Sequence, residues 1–402
     1  MDVYEDALKR LERLDRDDRA IARMMHPMRM TEVHIPVVMD DGEERVFKAW
    51  RCQYNDVLGP TKGGIRFHPD ANPSEVKALA MWMALKTALM ELPFGGGKGG
   101  VEVDTSEMSD TEEERLSKGY VRALFDTLGP DQDVPAPDVR TGPKHMLWMR
   151  QEYEAISRTL APASFTGKPV AAGGSKGRDG ATATGAAMVL EAWMQRNERD
   201  TQDLTVAIQG FGSAGRNLAR ILNQAGYKIV AVSDSSGGIH DPEGLPVDAV
   251  AEAKKQKGSV TDFDGGKKID NEALLLLEVD ILIPAALEGV ITEDNAKDVD
   301  AKIILEVANG PLSAEADLIL QKAGVTVIPD ILTNAGGVTV SYYEWIQGRT
   351  GEYWSADDVQ NKLQARMDRR CQAVFNRAQA EDLPLRDAAY MLALDRIADA
   401  MP

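Results

Sequence analysis

Three lysines stand in settings where a cation is unusual. Lys86 is the single charged residue in the apolar stretch Ala78-Leu79-Ala80-Met81-Trp82-Met83-Ala84-Leu85-Lys86-Thr87-Ala88-Leu89-Met90. Lys98 lies inside Gly95-Gly96-Gly97-Lys98-Gly99-Gly100, and Lys62 inside Gly59-Pro60-Thr61-Lys62-Gly63-Gly64. The chain around them is acidic, with a formal net charge of -18. An ammonium taken out of water must lose its proton, snorkel to the surface or meet an anion. Snorkelling suits one lysine near a helix end. Two more lysines among glycines favour a pocket for a multiply charged anion.

Local signals indicate how these residues are positioned. Asn72 is a candidate N-cap, Pro73 fits the first helical position, and Glu75 completes a capping-box pattern. The helix that follows places Leu79, Met83, Lys86 and Met90 on one face. Lys62 and Lys98 are expected in glycine-rich loops, beside strands over 33–39 and 45–54. Residues 1–25 read as a charged amphipathic helix, with Ala7, Leu8, Leu11 and Leu14 at helical spacing.

At 402 residues the chain exceeds one ordinary core, so two domains are expected. No uncharged apolar run approaches the roughly 18 residues of a membrane span, and the acidic start lacks signal-peptide character. Cys52 and Cys371 are the only cysteines, which excludes a disulfide framework and fits a reducing cytoplasm. The five histidines are scattered without H-E-x-x-H or C-x-x-C spacing, so no metal site is expected. The acidic balance argues against nucleic-acid binding. With 20 lysines against 64 acidic residues, it is also compatible with adaptation to high salt.

From about residue 185 strands and helices alternate regularly. An apolar strand over 204–208 leads into Gly210-Phe211-Gly212-Ser213-Ala214-Gly215, then a helix, then a second strand over 228–232. Asp234 follows 19 residues after Gly215. A glycine fingerprint between strand and helix, with an acid at that distance, indicates a dinucleotide site in a doubly wound parallel sheet. Gly210 permits the tight turn, Gly212 admits the pyrophosphate, and Gly215 allows close packing. The helix start at Ser213 stabilises phosphate charge. Asp234 would accept hydrogen bonds from the adenosine ribose, favouring NAD. Ser235 and Ser236 could donate to a 2′-phosphate, leaving NADP possible. Further strands are expected at 280–283, 302–305 and 325–328, and helices after residue 348, where Ser355 and Asp358 form a cap. The expected organisation is an α/β substrate and oligomerisation domain at 1–184, a Rossmann-type domain at 185–347, and C-terminal helices at 348–402 that pack back on the first domain. The cleft would lie between the domains.

Together these residues resemble the glutamate dehydrogenase family, within the wider Glu/Leu/Phe/Val amino-acid dehydrogenases. The resemblance rests on the three lysine segments, Asp133-Val134-Pro135-Ala136-Pro137-Asp138, Gly173-Gly174-Ser175-Lys176-Gly177-Arg178, Pro284-Ala285-Ala286-Leu287-Glu288, Ala308-Asn309-Gly310-Pro311 and Thr333-Asn334-Ala335-Gly336-Gly337-Val338-Thr339-Val340-Ser341. It implies reversible NAD(P)-dependent oxidative deamination of L-glutamate to 2-oxoglutarate and ammonia by a homohexamer. It also implies residue roles. Lys98 would be the catalytic lysine and Asp138 the catalytic carboxylate. Lys86 would hold the α-carboxylate, Lys62 and Ser341 the side-chain carboxylate, with Arg178 in the substrate site. Thr182 and Asn334 would contact the nicotinamide side, and Asn309 the cofactor ribose.

Two segments depart from the family pattern: Val139-Arg140-Thr141-Gly142 replaces a run ending in Thr-Asn, and Ala183-Thr184-Gly185 replaces Gly-Arg-Gly. Arg140 is placed to lower the pKa of Asp138, and Ala183 and Thr184 alter the surroundings of Thr182. The departures motivate a second reading, a catalytically weak regulatory subunit of a mixed hexamer. A third reading, a dehydrogenase for an apolar amino acid, is opposed by Lys62, which leucine would leave buried without a counter-ion.

Overall fold

The computed structural model describes residues 2–14, 16 and 19–402, which form two compact units. The first runs to Arg178 and takes in Val338–Lys362 and Met391–Pro402; the second comprises Asp179–Gly337 and Leu363–Tyr390.

The expected helix over 1–25 is two helices, α1 (Val3–Glu12) and α2 (Arg19–Met24), with Asp15, Asp17 and Asp18 outside the described residues. Five strands follow: β1 (Arg29–Val38), β2 (Glu44–Asn55), β3 (Thr61–His68), β4 (Gly95–Glu102) and β5 (Asp133–Pro137), in sheet order β1-β2-β4-β3-β5. The helices are α3 (Pro73–Leu89), α4 (Asp110–Leu124) and α5 (Pro143–Ser157). At the start of α3, Asn72 accepts from the Glu75 amide at 3.0 Å. The Glu75 carboxylate does not return to the cap; it pairs with Arg66.

The glycine-rich segments are not loops. They are β3 and β4, adjacent and parallel, with Lys62 opposite Gly96 and Ile65 opposite Gly99. Glycine serves close approach here. A Cβ on Gly63 would lie 1.6 Å from the Gly97 carbonyl oxygen, and one on Gly96 would lie 2.4 Å from the Ala80 oxygen of α3. Strands and helix therefore meet at backbone contact, which any side chain would prevent.

The same glycines open a path for Arg51 of β2. Its guanidinium passes Gly97 and Gly99 to reach Asp133 of β5, with Nε donating to Oδ2 at 2.8 Å and Nη1 to the Gly64 oxygen at 3.2 Å. Both side chains are fully buried. Removing one member of such a pair leaves an uncompensated charge in low dielectric. Arg51→Met is expected to lower unfolding free energy by about 3–5 kcal/mol, read from denaturant midpoints. Arg51→Met combined with Asp133→Leu should recover most of that loss.

The second unit contains α6 (Ala181–Arg196), β6 (Thr205–Gln209), α7 (Ser213–Gln224), β7 (Lys228–Asp234), β8 (Gly237–His240), α8 (Val247–Lys257), β9 (Lys267–Ile269), α9 (Asn271–Leu275), β10 (Val279–Pro284), β11 (Ala301–Leu305), α10 (Ala314–Lys322), β12 (Thr326–Ile328) and α11 (Asp330–Thr333). Its sheet has the order β12-β11-β10-β6-β7-β8-β9. Strands β12 through β7 are parallel, as expected, but β8 and β9 add an antiparallel edge. The cause is the tight connection Ser235-Ser236: β7 turns straight back with Asp234 paired to Gly237, and no crossover helix fits between them.

Three helices complete the chain: α12 (Gly336–Thr350), α13 (Ala356–Glu381) and α14 (Leu385–Asp399). Ser355 caps α13 as expected, accepting from the Asp358 amide at 3.1 Å. These helices do not return wholly to the first unit, because Leu363–Tyr390 packs with the second. Phe375 meets Trp193 edge-on at 5.5 Å, and Arg196 donates to Gln379 at 2.6 Å. Among the described residues no helix is long and apolar enough to cross a membrane.

Candidate functional site

In the first unit, register assembles the site. Lys62 pairs with Gly96 and with Val134, and Gly64 with Ala136. Opposed residues share a face and strands alternate, so Lys62, Gly64 and Lys98 lie on one face of the sheet. Helix α3 covers that face, since the space beside Gly96 and Gly100 is filled by Ala80, Ala84 and Val76. Lys86 sits on this helix and is only 5% exposed. The apolar stretch is therefore a helix buried nearly all round, not an amphipathic one.

Lys98 Nζ donates to Asp138 Oδ2. Asp138 follows directly on β5 and lies over Gly64, where a Cβ would come within 2.8 Å of its carboxylate. Its backbone is fixed by Thr141: the Asp138 amide donates to Thr141 Oγ1 at 2.8 Å, and that hydroxyl donates to the Ile65 oxygen at 2.9 Å. The departure at 139–142 thus keeps a residue that holds the turn. The expected influence of Arg140 on Asp138 is not found. Arg140 adopts φ 55° and pairs with Asp104. Arg66 is the second cation beside Asp138, after Lys98, with Nε 3.6 Å from Oδ1. The sequence reading passed over Arg66, although it stands two residues beyond Gly64.

Lys62 is 1% exposed. Burial depresses its pKa well below the ordinary lysine range, aided by the positive charges of Arg178 and Arg51 and opposed by Glu344 and Asp133. Arg51 is matched by Asp133, and Lys168 by Glu344 at 2.5 Å; Arg178 adds its charge beside Lys62. Glu344 also accepts from the Gly167 amide at 2.8 Å. It lies one helical turn beyond Ser341 on α12, and Ser341 is 1% exposed. Lys168 and Glu344 went unnoticed in the sequence because nothing local marks a buried ion pair formed across 176 positions.

In the second unit the fingerprint has the expected geometry. Gly210 adopts φ +100°, and a Cβ there would meet Ala286 at 2.7 Å. A Cβ on Gly215 would lie 2.1 Å from the Gly210 oxygen, whereas the space beside Gly212 is open. Gly212, the residue before α7, thus leaves room for a ligand beside the helix start. Asn334 Nδ2 donates to Asn309 Oδ1 at 3.0 Å and to the Val307 oxygen at 3.1 Å. Asn334 Oδ1 is buried without a partner, as are Gln209 Oε1 and Ser233 Oγ at the ends of β6 and β7. Buried acceptors left open at the C-terminal ends of parallel strands suit a polar ligand such as a carboxamide. Thr182 lies in the first turn of α6. Behind it, Gly185 meets Gly336 so closely that a Cβ would come 2.9 Å from its Cα. The departure there retains the one residue that the crossing demands.

Asp234 departs from its expected role. Its Oδ2 accepts from Lys254 Nζ at 2.7 Å and the Val260 amide at 2.9 Å; its Oδ1 accepts from Ser259 Oγ and the Ser236 amide, each at 3.0 Å. Burial works against its charge, but Lys254 and these amides outweigh it and hold the carboxyl below its ordinary range. The carboxylate is thus engaged within the protein instead of standing open to a ribose. Ser235 is exposed at the neighbouring turn.

Comparison with known proteins identifies the family. Residues 27–155 match the model of the Glu/Leu/Phe/Val dehydrogenase dimerisation domain, and residues 173–402 that of Glutamate/Leucine/Phenylalanine/Valine dehydrogenase. The chain is 46% identical to an NADP-specific glutamate dehydrogenase of Synechocystis sp., covering 99% of this chain and 96% of that protein. It is 45% identical to an NAD-specific glutamate dehydrogenase of Staphylococcus aureus, covering 97% and 94% respectively. Among solved structures, the hetero-hexameric glutamate dehydrogenase of Thermus thermophilus superposes with a TM-score of 0.94 at 37% identity, covering 100% of this chain and 95% of that one. With both family models matched in order along one chain, this protein belongs to the Glu/Leu/Phe/Val dehydrogenase family.

Proposed function

We propose that this protein is an oxidoreductase that reversibly deaminates L-glutamate to 2-oxoglutarate and ammonia, using NAD and able to accept NADP. The observation that carries the reading is the Lys98–Asp138 contact on the sheet face that also bears buried Lys62. Two carboxylates on the substrate call for two cationic anchors. Lys62 with Ser341 holds the side-chain carboxylate, and Lys86 the α-carboxylate, with Arg178 raising the local potential. Along the Lys98–Asp138 hydrogen bond the ammonium proton passes to the carboxylate; the neutral Lys98 Nζ then takes a proton from the water that attacks the imine carbon, and Asp138 delivers its proton to the departing ammonia. Arg66 keeps charge beside Asp138 in balance. The nicotinamide, when bound, supplies the acceptor for the α-hydrogen. Gly210, Gly212 and Ser213 would hold its pyrophosphate, with Gly215 keeping α7 close to the turn; Asn309 and Asn334 would hold its ribose and carboxamide side, and Thr182 the same end. Asp234 shapes the adenosine end through its tie to Lys254, with Ser235 at the turn.

We place the protein in the cytoplasm as a homohexamer. Both thiols are free and buried, and burial pushes Cys52 and Cys371 up to about 12, so neither is poised to oxidise. The test is initial rates of the purified homomer in both directions, with NAD(H) and NADP(H), across a salt series, comparing glutamate with leucine. Glutamate turnover by the homomer is expected, with leucine far slower. A homomer inactive on glutamate would overturn the reading. Rates that rise in molar salt would link the acidic surface to salt adaptation.

A further inference from the structure

Arg386 opens α14 at 3% exposure and sits among three carboxylates. Its Nη2 donates to Glu306 at 2.6 Å, its Nε to Asp317 at 2.6 Å, and its Nη1 lies 3.5 Å from Asp330. Two of these acids continue towards the proposed cofactor site. Glu306, directly after β11, accepts the Asp330 amide at 2.9 Å. Asp330 accepts the Gly310 amide at 2.9 Å, and its own carbonyl accepts the Asn334 amide at 3.0 Å. Asn334 in turn holds Asn309. An unbroken set of hydrogen bonds thus runs from Arg386 to both asparagines. Glu306 is 0% and Asp330 1% exposed. Without a cation, two buried carboxylates a few ångströms apart repel each other, and one must take a proton or move. Asp317 pairs with Arg386 from α10.

We propose that Arg386 is a positioning residue for cofactor binding: through Glu306 and Asp330 it fixes the Asn309–Gly310 turn and Asn334. The inference rests on the proposed assignment of those asparagines to the nicotinamide end. Burial raises the Glu306 carboxyl, and Arg386 opposes the shift, in keeping with a carboxylate that depends on this guanidinium.

The test compares the full-length protein with Arg386→Gln, Arg386→Lys, Asp330→Asn and Asp317→Asn. NADH and NADPH binding is measured by fluorescence titration without glutamate, alongside KM for glutamate, oligomer size, thermal midpoint, and hydrogen exchange at the Gly310 amide. Arg386→Gln and Asp330→Asn should each raise the NADH dissociation constant about tenfold and speed exchange at Gly310, with glutamate KM held within about twofold. Their double mutant should be no weaker than the worse single variant, as members of one network. Arg386→Lys should fall between, since it restores charge but not the forked geometry. Asp317→Asn should lower the thermal midpoint and leave NADH affinity unchanged. Wild-type affinity in Asp330→Asn or Arg386→Lys together with unchanged Gly310 exchange overturns the proposal even if Arg386→Gln fails to fold. An equal loss in Asp317→Asn also overturns it, because general stability would then set affinity. A wild-type protein that turns glutamate over but shows unaltered NADH binding in the variants removes this inference alone; one that binds neither dinucleotide removes the proposed function with it.

Discussion

Lys98→Ala should reduce glutamate turnover by about 10³-fold or more, the scale of a lost general base, while NADH still binds within about twofold of wild type. The reason is location. Lys98 is on β4 of the first unit, whereas the fingerprint proposed to hold the dinucleotide joins β6 to α7 in the second. Loss of the amine removes the proton acceptor without touching the phosphate cradle. It also leaves Asp138 beside Arg66 alone, so the remaining carboxylate keeps a cationic neighbour and the fold should survive. Stopped-flow rates with fluorescence titration of NADH check both halves. Substantial residual turnover in Lys98→Ala would show that another group moves the proton.

Lys62→Leu should change substrate choice more than it changes stability. Its buried ammonium, with a carboxylate to meet, gains what leucine cannot supply, so kcat/KM for glutamate should fall by roughly 10²-fold or more against a small change for leucine. If both substrates lose equally, Lys62 does not read the side chain. The pH dependence gives an independent check with a definite sign. Burial and Arg178 depress the Lys62 pKa in the free protein, so above that lowered value the amine is neutral. A bound carboxylate favours the charged form and raises the pKa, so glutamate binding takes up a proton. KM for glutamate should therefore rise with pH, by up to about tenfold per pH unit, between the free and bound pKa values. In Lys62→Leu that rise should vanish. A wild-type KM that is flat or falls over the alkaline range would show that Lys62 keeps its proton in the free protein, held by Glu344.

The residues proposed to carry the chemistry each leave a local trace in the sequence. An ammonium in an apolar run, glycines around a lysine, and a glycine fingerprint between strand and helix are short-range signals. They sufficed to mark Lys62, Lys86, Lys98 and the Gly210–Gly215 turn, and the cap at Asn72 located α3. What they could not reveal was partnership. The glycine segments read as loops because glycine usually punctuates chains, yet register makes them neighbouring strands packed against α3. Arg140 looked like the partner of Asp138 from two positions away, but a left-handed backbone turns it to Asp104, and Arg66 takes that place from a neighbouring strand. Asp234 read as a ribose acceptor, but the antiparallel edge that follows it brings Ser236 and Val260, with Lys254 of α8, onto its oxygens. Side-chain type and spacing are properties of the chain alone, so they determined the kind of chemistry. Which charge meets which depends on contacts between segments distant in sequence, and only the folded arrangement decided those pairings.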